Sequence, residues 1–162
     1  MDIFVIRVAG NVCNTDEVGS IEYGLAHVNT PVLVVLGHTQ CGAVTAVTHM
    51  CLGKHQKLEI NIPPLVSSIK PAVKRAMSMH KNIKNEDIIP FAIVENVWES
   101  VENLFLKSPV TRKLVEEGKV KVVGAIYNVG VGTIKWLLEN KVQEILSKVN
   151  KDPQREKRSY FK

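Results

Sequence analysis

The stretch Gly37-His38-Thr39-Gln40-Cys41-Gly42-Ala43 gathers the residue types best suited to chemistry. It leaves an apolar, β-branched run and enters a helix-forming one, which puts His38 at a strand end and Cys41 at a helix start. Imidazole nitrogen and thiolate are both good zinc ligands. A helix N-terminus favours the negative thiolate. Gly42 leaves backbone N–H groups open to the oxygen of a small anion. The same residues admit two other readings: a thiol nucleophile at Cys41, and a small buried hydrophobe. His-x-x-Cys alone does not choose among them.

The elements that must position this stretch follow from periodicity. Ile3–Val8, Val32–Leu36 and Val120–Tyr127 are near-continuous apolar runs, as in strands covered on both faces. Ile89–Val94 fits a fourth strand or part of a helix. The spacing predicts helices over Asp16–His27 with Thr15 as N-cap, Gly42–Leu52, Pro63–Met79, Val94–Phe105, Val110–Glu117 and Gly132–Lys148. Strands alternating with helices predict an α/β domain with a mainly parallel central sheet and flanking helices. Sites in such sheets form at the carboxyl ends of strands. Ala9-Gly10-Asn11 and Gly37–Ala43 both fall there.

Length and composition set the frame. The 162 residues fit one domain, expected over 1–148, followed by a basic tail over 149–162. From Lys148 to Lys162 there are six basic and two acidic residues, so this end holds +4 of the net +5. The body is close to neutral, which argues against a nucleic-acid partner. No apolar run is long enough for a membrane helix, and Asp2 and Arg7 interrupt the first segment, so it does not read as a signal peptide. Three cysteines, at 13, 41 and 51, fit a reducing, cytoplasmic setting rather than a disulfide scaffold.

The ordered set of motifs resembles the β-class carbonic anhydrases. Gly37–Ala43 is similar to that family's second zinc motif, and Arg7-Val8-Ala9-Gly10-Asn11 to the strand and loop upstream of it. Ser20-Ile21-Glu22-Tyr23 matches the next helix. Ser108-Pro109, Gly118–Tyr127, Gly132 and Trp136 follow in the family's order. The resemblance implies a zinc enzyme for the reversible hydration of CO2 to bicarbonate, with His38 and Cys41 as metal ligands and Gly42 approaching substrate. Zinc lowers the pKa of bound water from about 16 to about 7, which makes hydroxide available at neutral pH. The resemblance also implies a homo-oligomer built from dimers.

One part of the family pattern has no counterpart. The third ligand and an Asp–Arg dyad come from a Cys-x-Asp-x-Arg motif upstream, and no such motif occurs in this chain. Met1-Asp2-Ile3-Phe4 aligns inside the strand that follows it. The expectation is therefore an N-terminally truncated chain, short of one interior strand, with Met1 an internal position of a longer protein. No catalytic residue can be assigned, and activity of the chain as given is expected to be impaired. The alternative is a non-catalytic relative that serves assembly or anion binding. Cys13 is weighed as a substitute ligand. Cys51, ten residues along the helix from Cys41, lies about 15 Å away and out of reach. His27, His49, His55 and His80 read as surface or helix-face residues.

Overall fold

A computed structural model describes residues 3–54, 57–83 and 85–153. After a 3-10 turn at Ala9–Asn11 come α1 (Thr15–Ala26), β1 (Val32–His38) and α2 (Gly42–Cys51). Next, α3 (Ile62–Val66) passes through a 3-10 turn at Ser67–Ile69 into α4 (Lys70–Met79). A 3-10 turn at Asn85–Ile88 then leads to α5 (Ile89–Lys107) and α6 (Pro109–Glu116). The chain closes with β2 (Lys121–Asn128), β3 (Thr133–Trp136) and α7 (Asn140–Asn150).

The α/β class is as the sequence predicts. β1 and β2 pair in parallel from Val32↔Lys121 to His38↔Tyr127, and β3 adds antiparallel to β2 in the order β1-β2-β3. Two local expectations need correction. The helix expected from Gly132 is strand first: Gly132 takes φ +73°, and Thr133-Ile134-Lys135-Trp136 then pairs with β2, so helix begins only at Asn140. Thr133, Ile134 and Trp136 are β-branched or aromatic, types that suit a pleated strand. Ile89–Val94, which fits strand or helix by sequence, takes the helical alternative and opens α5, with Pro90 in its first turn. The N-cap of α1 is Asn14, whose N–H donates to the Glu17 carboxylate at 2.9 Å in a capping box.

The largest departure is at the N-terminal end. Ile3–Val8 is not a strand. Ile3 and Val5 are 75% and 65% exposed, while Phe4 leans on Gly24 of α1, where an added Cβ would lie 2.9 Å from its ring. A strand needs a neighbour to complete its backbone hydrogen bonds. Among the described residues the sheet holds three strands, β1-β2-β3, and Ile3–Val8 pairs with none of them.

α5 is the central post of the core. Its Val97, Val101, Leu104 and Phe105 are essentially inaccessible. It lies directly on the sheet because Gly37 and Gly124 have no side chains: a Cβ would meet Val97 at 2.8 Å in one case and Trp98 at 2.9 Å in the other. α4 is clasped to α5 by Arg75, which bonds Glu95 at 3.1 Å and Glu99 at 2.6 Å. Val142, Ile145, Leu146 and Val149 of α7 complete the core, so packing continues to Val149. Most of the expected basic tail, residues 154–162, lies outside the described residues.

Candidate metal centre

β1 and α2 are joined by a three-residue turn that presents His38 and Cys41. The Thr39 N–H donates to the Tyr127 carbonyl at 2.9 Å, extending the parallel ladder past His38. Gln40 then takes φ +58°, and this left-handed step reverses the chain into α2. Cys41 is the N-cap residue, with extended backbone, and its carbonyl accepts from the Thr45 N–H at 3.0 Å. Its side chain makes no capping hydrogen bond and is 5% exposed. His38 is exposed, with Nδ1 at 2.9 Å from the Thr39 carbonyl. A carbonyl only accepts, so this hydrogen bond places the proton on Nδ1 and leaves the Nε2 lone pair free. A Cβ at Gly42 would meet no heavy atom within 4 Å, so packing does not dictate glycine there.

A second turn supports the first from beneath. Gly10 has φ +76°, and a Cβ there would stand 2.7 Å from Ile69 and 3.2 Å from Ala43, in the first turn of α2. α5 holds this turn through two buried polar side chains. Asn96 Nδ2 donates to the Gly10 carbonyl at 2.7 Å, and Ser100 Oγ donates to the Asn11 carbonyl at 2.5 Å. Reading the sequence missed both residues. The signal was there: Asn96 and Ser100 sit four apart beside Val97 and Val101, and buried polar groups need partners.

The remaining candidates do not join His38 and Cys41. Among the described residues no group of three or more His, Cys, Asp or Glu is placed to hold a metal ion. Cys13 is buried with Val18 and Leu104, in a cluster separate from the one containing Cys41. Burial pushes its thiol up to about 12, with Lys107 opposing and Glu17 reinforcing the shift. Among the described residues no metal-holding group joins Cys13 to His38 and Cys41, so Cys13 does not substitute. Cys51 closes α2 and is a free thiol. His27 stacks on Tyr23, and His80 on Phe91 at 4.1 Å between ring centres. His49 acquires a carboxylate the sequence did not suggest, Glu86 at 3.1 Å. His55 lies outside the described residues. By donor chemistry His38 and Cys41 fit zinc, and among the described residues no third donor joins them.

The family model described as carbonic anhydrase matches residues 1–134, and the chain belongs to that family. It is 30% identical over 142 residues to a carbonic anhydrase of Synechococcus elongatus, covering 82% of this chain and 50% of that relative. Among solved structures, the Coccomyxa β-carbonic anhydrase in complex with acetazolamide superposes with a TM-score of 0.70 at 26% identity, covering 83% of this chain and 60% of that one. The β-carbonic anhydrase CcaA gives 0.69 at 25% identity, over 84% and 66%. The chain spans 50% to 62% of the length of the curated relatives it matches.

Proposed function

We propose that this chain carries two of the three protein ligands of a zinc centre for the reversible hydration of CO2 to bicarbonate. His38 Nε2 and the Cys41 thiolate would be the ligands. The observation that carries this reading is the turn from β1 to α2, which frees Nε2 by engaging Nδ1 and leaves the Cys41 sulfur uncommitted at a helix N-terminus. Zinc, when bound, lowers the pKa of water to about 7. The chain's own part is to hold two donors and to offer, at Gly42, an open helix N-terminus to an anionic oxygen. With no third donor among the described residues and no Cys-x-Asp-x-Arg in the sequence, hydration by the chain as given is impaired.

The same absence favours a second reading, a non-catalytic relative used for assembly or anion binding. Exposed apolar residues on the sheet, Val34, Leu36, Ile134 and Trp136, support a homo-oligomer. No described helix is long and apolar enough to cross a membrane. Separately, the three free thiols favour a cytoplasmic setting, and the near-neutral body favours CO2 or bicarbonate as the small-molecule partner over nucleic acid.

Zinc content and CO2 hydration, measured together on the purified chain, test the reading. The expected result is less than one tightly held zinc and weak hydration; stoichiometric zinc with strong hydration refutes the incomplete site. An in-frame Cys-x-Asp-x-Arg in the coding DNA upstream of Met1 is expected, and a stop codon directly upstream removes the truncation argument. In a form extended to include that motif, His38→Ala abolishes zinc binding, and retained metal would take His38 out of the ligand set.

A further inference from the structure

The turn carrying His38 and Cys41 holds an unusual backbone step, Gln40 at φ +58°. A non-glycine residue pays for that conformation unless its neighbours over-determine it. Thr39 is the neighbour that does so, and all three of its polar groups are engaged. Its N–H donates to the Tyr127 carbonyl at 2.9 Å. Its Oγ1 accepts from the Val129 N–H at 3.1 Å. Its carbonyl meets His38 Nδ1 at 2.9 Å. Val129 lies just past the end of β2. The segment around it is itself braced: the Gly130 N–H donates to Asn128 Oδ1 at 2.9 Å and the Gly132 N–H to the Asn128 carbonyl at 2.8 Å.

We propose that Thr39 is a positioning residue that fastens the donor turn to the β2–β3 hairpin, so that the hairpin sets where His38 and Cys41 stand. The importance of this fastening for metal rests on the zinc reading above; the fastening itself does not. The hydroxyl is the one attachment a side-chain change can remove without touching the backbone. Thr39→Val keeps shape and branching and loses the acceptor, whereas Thr39→Ser keeps it.

Solvent-exchange NMR on the intact chain, with zinc chloride as the metal probe, decides the matter. In Thr39→Val the Val129 amide exchanges roughly fivefold faster, the factor for one typical hydrogen bond. The Thr39 carbonyl remains, but the loosened turn holds it less firmly against Nδ1, so the His38 ring populates both tautomers, and the zinc concentration that half-shifts its 15N signals rises several-fold. Amides of α5 and the melting temperature stay at wild-type values, and Thr39→Ser behaves as wild type throughout. A purely structural role would instead move the melting temperature and the α5 amides together, and this outcome overturns the proposal. So does Thr39→Val with unchanged Val129 exchange and an unchanged His38 tautomer. Wild-type His38 signals that ignore zinc would refute the metal reading, leaving exchange and tautomer to judge the fastening.

Discussion

The two faces of the sheet are built from alternate residues of the same strands, yet they have opposite environments. On one face Leu33, Val35 and Gly37 of β1 and Val122, Gly124 and Ile126 of β2 meet the core, where α5 presses on both glycines. On the other, Val32, Val34 and Leu36 are 50%, 40% and 41% exposed, and Ile134 and Trp136 continue that face across β3 at 48% and 59%. An apolar run suggested cover on both sides. The structure shows that such a run states what a strand tolerates, while the elements packed against it decide what is covered.

The sharpest way to break the contrast is to add one carbon on the covered face. Gly124→Ala puts a Cβ 2.9 Å from the Trp98 ring and 3.1 Å from Val97, and overpacking of this kind costs about 1–3 kcal/mol. A drop in melting temperature by circular dichroism checks it. Next is a buried group that resists charging. The Cys13 thiol ordinarily titrates at 9.0 and is raised to about 12 in the fold. The unfolded chain releases this proton first, so stability is complete below pH 9 and is lost as pH rises toward 12. Denaturant unfolding across that window should show the fall, and Cys13→Ala should flatten it. The smallest effect belongs to the open face. Val34→Thr changes unfolding free energy by no more than about 0.5 kcal/mol and lowers binding of a hydrophobic dye.

Much of the fold was legible because local chemistry and tertiary structure agree. β1 and β2 follow directly from near-continuous apolar runs, and the helix from Gly42 from an apolar stretch that stops before Gly53. His38 and Cys41 were legible by residue type and by their place between a strand and a helix. The failures are places where pairing decides. Ile134, Leu137 and Leu138 fit helical spacing, yet Ile134 lies in the strand that β2 recruits. Ile3–Val8 has strand composition and no partner among the described residues. Glu86 at His49, and Asn96 and Ser100 beneath Gly10 and Asn11, are contacts between residues far apart in sequence, to which short-range patterns are blind.

α5 braces the candidate centre from two directions. Val97 and Trp98 bear on Gly37 and Gly124, while Asn96 and Ser100 grip the turn that props Ala43. These four residues lie within about one and a half turns of a single rod. A slide of α5 by one residue, about 1.5 Å, would therefore disturb the strand before His38 and the helix after Cys41 in one stroke. The elements that carry His38 and Cys41 thus share one support, the axial register of a helix that contributes neither residue.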